Sequence, residues 1–142
     1  MRVAIGSDHA GFELKERVKR WLEEQGHTLH DVGVFNHDRA DYPDLAHQVA
    51  ELVEQGEAAR GVLVCGSGIG VAMVANKHPG VRAANCTVEF QAEMCRRHND
   101  ANVLCLGERV VGPDLAASLV RVFFTTDFEG GRHEERVRKI ER

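Results

Sequence analysis

Val62-Leu63-Val64-Cys65-Gly66-Ser67-Gly68-Ile69-Gly70 is the stretch on which the reading of this chain turns. Three apolar residues run into a cysteine, and the cysteine runs into a loop with glycine at positions 66, 68 and 70. Val71 to Asn76 then continues as a helix-compatible segment. The pattern is a buried strand, a tight loop and a helix N-terminus. Such a loop turns backbone N–H groups toward an anion. It also sets the Cys65 thiol where a helix dipole favours a thiolate. The spacing excludes two nucleotide loops. A dinucleotide fingerprint needs a third glycine where Val71 stands and follows the first strand, whereas this loop follows the third. A P-loop needs a Gly-Lys-Ser/Thr ending that is absent here.

Outward from the loop, apolar runs alternate with amphipathic segments. Strands are expected over Val3–Ile5, Thr28–Val32, Gly61–Cys65, Val81–Asn85 and Asn102–Leu106. Helices are expected over Gly11–Glu24, Pro43–Gln55, Gly68–Asn76, Thr87–His98 and Pro113–Thr126. Phe12, Leu14, Val18, Trp21 and Leu22 form the apolar face of the first helix. Leu45, Ala46, Val49, Leu52 and Val53 form that of the second. Thr87 is a candidate N-cap for the fourth, and Pro113 suits the first turn of the fifth. Gly130-Gly131 breaks the chain before a charged tail. Five strands alternating with helices predict a Rossmann-like three-layer α/β/α sandwich around a parallel sheet, with a C-terminal helical tail. With 142 residues and no repeat or low-complexity linker, a single domain over 1–142 is expected. Ligands of such sheets bind at the carboxyl ends of the strands.

A net charge of −4 offers no support for nucleic-acid or membrane-surface binding. Asp8 interrupts the N-terminus too early for a signal peptide, and no apolar run reaches membrane-spanning length. A cytoplasmic location is expected. Cys65, Cys86, Cys95 and Cys105 show neither C-x-x-C nor zinc-ribbon spacing, so reduced and mostly buried thiols are expected.

Each candidate side chain has two readings. Cys65 is either a core thiol at a strand end or a base beside an anion loop. Ser67 is either a helix cap or a proton relay. Asp8 and His9 either cap the following helix or bind hydroxyls and an anionic group. His98 either complements a helix C-terminus or acts chemically. Arg132 and Arg136, four apart, share a helical face that suits phosphate, or else belong to a solvated tail. His27 and His30 lack a third metal ligand.

Taken together, Gly6-Ser7-Asp8-His9-Ala10-Gly11-Phe12, Asp41-Tyr42-Pro43-Asp44, Cys65 to Gly70, Ala75-Asn76-Lys77, His98 to Leu104 and Gly130-Gly131-Arg132-His133 resemble type B ribose-5-phosphate isomerases. The wider group includes allose- and galactose-6-phosphate isomerases. The resemblance spans nearly the whole chain in the same order. It implies interconversion of D-ribose 5-phosphate and D-ribulose 5-phosphate through an enediolate, with no metal or other cofactor. Cys65 matches the family's general base. Members lacking that cysteine use a glutamate further on, where Val71-Ala72-Met73-Val74 offers no acid. Ser67 matches a hydroxyl that shuttles protons between oxygens. The amides of Gly66, Ser67, Gly68, Ile69 and Gly70 match the anion hole, and His98 the residue that opens the furanose ring. Asp8, His9, Tyr42, Asn99, Arg109, Arg132 and Arg136 match sugar- or phosphate-binding positions.

Helix geometry adds an expectation of its own. Twelve residues from Thr87 to His98 would span about 18 Å, carrying His98 and Asn99 to the edge opposite Cys65. Both act on one substrate only if a second subunit supplies His98. A homodimer with shared sites is therefore expected, with a tetramer left open and with the 129–142 tail at a subunit interface. Two alternatives stand beside this reading. One is a six-carbon phosphosugar isomerase, and the other is a non-catalytic sugar-phosphate sensor. The acidic cluster and lysine of receiver modules are missing.

Overall fold

The computed structural model describes residues 1–141, and Arg142 lies outside the described residues. Five parallel strands, β1 (Arg2–Ser7), β2 (Thr28–Gly33), β3 (Arg60–Cys65), β4 (Ala83–Asn85) and β5 (Val103–Gly107), form one sheet in the order β2-β1-β3-β5-β4. The helices are α1 (Phe12–Glu24), preceded by a 3₁₀ turn at His9–Gly11, then α2 (Tyr42–Glu54), α3 (Ile69–Ala75), α4 (Glu89–Arg97), α5 (Pro113–Thr125) and α6 (Arg132–Ile140). The expected α/β sandwich and helical tail are both present.

Strand alternation sorts the core into two layers. Val3, Ile5, Val62, Val64, Leu104 and Leu106 point to one face. There they pack with Leu14, Val18 and Leu22 of α1, Ala92 of α4, and Leu119 and Phe123 of α5. Ala4, Leu63, Cys65, Val103 and Cys105 point to the other, against Ala46, Val49 and Ala50 of α2 and Val71 of α3. The central strand β3 is buried from Gly61 to Cys65, as a strand covered on both faces must be.

Several boundaries and contacts depart from expectation. α4 has nine residues rather than twelve, a length of about 14 Å. Its N-cap is Val88, not Thr87, whose N–H and hydroxyl instead donate to Gln91 Oε1 at 2.8 and 3.1 Å. In α2, Ala50 is buried while Leu52 is only half-buried. Lys15 sits within the apolar stripe of α1 and is fully buried. Its ammonium meets both Asp31 oxygens on β2, at 2.9 and 2.7 Å, and lies 5.5 and 5.2 Å from the Phe12 and Phe35 ring centres. Asp31 also accepts from Gly33 N at 2.9 Å, so the pair fixes the end of β2. Removing one partner of a buried pair strands the other charge. Lys15→Met is expected to cost about 3 kcal/mol, read as a lowered urea midpoint, with Lys19 at 3.2 Å from Asp31 moderating the loss.

A side chain joins the start of α1 to the end of β5. The first turn of α1 has no cap of its own at Gly11. Glu108, just past β5, reaches across and accepts from Leu14 N at 2.7 Å. It does from afar what an N-cap residue does locally. Glu108→Ala should destabilise the fold by about 1 kcal/mol, the usual worth of a cap, in equilibrium denaturation.

Candidate active site

Strand order reverses between β1 and β3, since β2 lies beyond β1 while β5 and β4 lie beyond β3. The crevice above such a switch point is where open α/β sheets take ligands. Here β1 delivers Asp8 and His9 and β3 delivers Cys65, with Asp8 N donating to Val64 O at 3.3 Å to hold the two strand ends together. The β5 end is tied in by Glu108 N to Cys65 O at 2.9 Å and Arg109 N to Gly66 O at 3.0 Å. The result is an open cavity of about 630 Å³ lined by Asp8, His9, Tyr42, Cys65, Ser67 and Arg109 together with the glycine loop.

The loop follows from its glycines. Gly68 has φ +79°, and a Cβ there would lie 2.5 Å from Asn85 Oδ1. The backbone can therefore turn sharply enough for Gly68 N to donate back to Cys65 Sγ at 3.1 Å. A Cβ on Gly70 would lie 2.5 Å from the Tyr42 ring, so only glycine lets Tyr42 close over the loop. Ser67 is exposed at the turn, and its Oγ accepts from Ile69 N at 3.2 Å. α3, at seven residues, is shorter than expected. The donors come from the loop more than from a long helix.

Cys65 is 5% exposed, a buried residue that lines the cavity. Asp8 Oδ1 accepts from Gly11 N at 3.1 Å, so Asp8 both caps the 3₁₀ turn and lines the cavity. Ala40 N lies 3.3 Å from His9 Nδ1. The backbone N–H donates, so Nδ1 accepts and the neutral ring carries its proton on Nε2.

His98, Asn99, Arg132 and Arg136 are not among the residues lining this cavity. Arg82 Nε, just before β4, donates to Asn99 O at 3.0 Å, which places Asn99 at the amino edge of the sheet. His98 caps the end of α4 and stacks on His133 of α6, with ring centres 4.2 Å apart and planes at 10°. Arg132 and Arg136 are exposed on α6 beside it. The chain thus carries two clusters at opposite edges: His98 and Asn99 lie where the helix geometry put them, and Arg132 and Arg136, which that geometry left unplaced, lie beside them.

His133 was not among the expected site residues. It is buried, and its Nε2 has no hydrogen-bond partner. Burial, and then the facing His98, hold its imidazole below the ordinary range. Nothing local in the sequence marks the contact, because α4 and α6 meet only in the fold. His98, Glu129 and His133 bring one ligand atom each within 4.8 Å of one another. Two nearly parallel stacked rings, however, send their in-plane lone pairs alongside each other instead of toward one ion.

The family model of ribose/galactose isomerases matches residues 3–140, and the chain belongs to that family of sugar isomerases. It is 44% identical over 139 residues to ribose-5-phosphate isomerase B of Escherichia coli strain K12, covering 98% of this chain and 93% of that one. Its fold matches the ribose-5-phosphate isomerase B of Clostridium thermocellum at TM-score 0.98 and 48% identity, covering 99% and 95% of the two chains. It matches the Mycoplasma genitalium ribose-5-phosphate isomerase B, solved with bound ribulose-5-phosphate, at TM-score 0.95 and 40% identity, over 98% and 93%.

Proposed function

We propose that this chain interconverts D-ribose 5-phosphate and D-ribulose 5-phosphate by proton transfer through an enediolate. The observation that carries the reading is the Cys65 sulfur, held by Gly68 N at 3.1 Å against a cavity whose rim is a loop of amides. In this reading Cys65, as thiolate, takes the proton from the carbon next to the carbonyl and returns it to the neighbouring carbon. Negative charge then develops on oxygen. The amides of the 66–70 loop face that charge, each strong donor being worth about 3 kcal/mol in the transition state. Ser67 Oγ moves the proton between the two oxygens, and Asp8, His9 and Tyr42 hold the sugar hydroxyls. A thiol base and fixed amides supply each proton transfer, so chelator treatment is expected to leave the rate unchanged.

The remaining roles fall to the second cluster, supplied by a partner subunit. His98 of one chain opens the furanose ring bound above Cys65 of the other, Asn99 contacts the sugar, and Arg132 and Arg136, with Arg109, neutralise the phosphate. Ile69, Met73 and Val110 support a homodimer. They line or border the cavity and are 51%, 64% and 56% exposed, an apolar rim that a second copy would cover. The 129–142 tail lies at that interface in this reading. Four unpaired thiols fit a reducing cytoplasm.

The test is a substrate panel of ribose 5-phosphate, allose 6-phosphate and galactose 6-phosphate, comparing kcat/KM. Ribose 5-phosphate should lead. A six-carbon sugar turning over faster would reassign the substrate, because a longer chain needs its phosphate held farther from Cys65.

A further inference from the structure

We propose that Cys86 and Cys95 form an oxidisable dithiol, a reversible modification site whose disulfide shifts α4 and with it His98. The two sulfurs lie 4.0 Å apart, both buried on the α1, α4 and α5 face of the sheet. Cys65 and Cys105 lie on the opposite face. The pair is therefore a separate chemical unit from the catalytic thiol. Cys86 follows β4 directly and is anchored to the sheet, with its N–H donating to Cys105 O at 3.2 Å. Cys95 rides on α4 and is one of the residues lining a cavity of about 640 Å³ that also touches Arg82 and Asn99. In the proposal that cavity is the route by which a small hydroperoxide approaches Cys95.

The two thiols are unequal. The contact with Cys86 pulls the Cys95 thiol down, with the neighbouring Arg96 guanidinium adding to it against the cost of burial. The same contact and burial push Cys86 up. Cys95, the one of the two that lines that cavity, is the attacking sulfur in this proposal. As thiolate it attacks one peroxide oxygen and becomes a sulfenic acid, and the alkoxide or hydroxide expelled takes up the proton the thiol had given up and leaves as alcohol or water. Cys86 then attacks the sulfenic sulfur, the S–S bond forms, and the sulfenic oxygen leaves as water with the Cys86 proton. Two thiols are oxidised by two electrons and one peroxide O–O bond is reduced.

A disulfide needs an S–S distance of about 2.05 Å, so the sulfurs must close by about 2 Å. The sheet end is fixed on one side, and α4 takes most of the motion. His98 caps that helix three residues beyond Cys95, about 4.5 Å along the axis. A misplacement of about 1 Å in a positioned group can cost about a hundredfold in rate.

The consequence for activity rests on the isomerase reading above, whereas the disulfide itself is read by mass. Trypsin releases Cys86 and Cys95 together in Ala83–Arg96, Cys65 in Gly61–Lys77 and Cys105 in His98–Arg109. Titrating the whole protein with hydrogen peroxide and blocking residual thiols should give an Ala83–Arg96 peptide lighter by two hydrogens. kcat/KM should fall by about a hundredfold in step with that peptide, while Gly61–Lys77 is still unmodified, and dithiothreitol should restore it. Cys86→Ala and Cys95→Ala should each keep reduced activity and lose this reversible component. If Gly61–Lys77 oxidises while Ala83–Arg96 keeps both thiols, there is no dithiol site. If the disulfide forms and kcat/KM holds, the link to His98 is wrong. Reduced protein that fails to isomerise any sugar of the panel would instead count against the isomerase reading.

Discussion

Cys65→Ala should lower kcat for ribose 5-phosphate by about a thousandfold, in the middle of the range for a lost general base, while the protein still folds. That loss corresponds to about 4 kcal/mol of activation free energy. KM should change little, since Cys65 contributes one buried sulfur and the proposed mechanism leaves the sugar to Asp8, His9, Tyr42 and the loop amides, which line the same cavity. The expected cost in stability is about 1 kcal/mol, typical of a small truncation in a core. It falls on the α2 and α3 layer, where Cys65 packs with Leu63 and Cys105. Cys65→Ser is the sharper control. It keeps a polar atom of similar shape within reach of Gly68 N but offers an alcohol, far less acidic than a thiol, in place of a base. Both variants should therefore be slow, and their thermal midpoints should stay close to that of the wild type. Turnover near the wild-type rate in either one would remove Cys65 from the mechanism and leave the buried-thiol reading standing.

Legibility in the sequence followed interaction range. The 62–70 stretch was readable because its consequences are local. A run of apolar residues that can be buried on both faces makes β3, and glycine at 68 permits the positive φ that returns an amide to Cys65. The sheet was readable because five such runs alternate with amphipathic helices. Contacts set by tertiary placement were not readable. Lys15 looks like a solvated lysine until β2 places Asp31 against it. Glu108 caps a helix 94 residues earlier in the chain. Thr87 is a good N-cap residue by type, yet its hydroxyl is taken by Gln91 and the helix starts after Val88. The stacking of His133 on His98 depends on α6 folding back onto α4 after the Gly130-Gly131 turn, where both glycines have positive φ. The same holds for the candidate site residues: both groups stand in contiguous motifs, but their placement at opposite edges of the sheet is a consequence of helix direction.

Helix direction leads to the second large effect. Within one chain Cys65 ends β3 at the carboxyl edge, while Asn99 bonds Arg82 at the amino edge. His98, next to Asn99, stacks on His133 rather than facing the thiol cavity. If each site takes Cys65 from one subunit and His98 from the other, two inactive variants should rescue each other. Cys65→Ala homodimers should be nearly silent. His98→Asn homodimers should lose about a hundredfold on the cyclic sugar, as for a lost acid–base group. Random reassembly of equal amounts makes half of the dimers mixed. In a two-fold dimer each mixed pair holds one site with both mutations and one with neither. Activity should return to about a quarter of the wild-type value, as a kcat gain with unchanged KM. The gain should track the mixed dimer isolated by two different affinity tags. A mixture that stays at the level of its parents, with mixed dimers demonstrably present, would place Cys65 and His98 in the same site of one chain or take His98 out of the reaction.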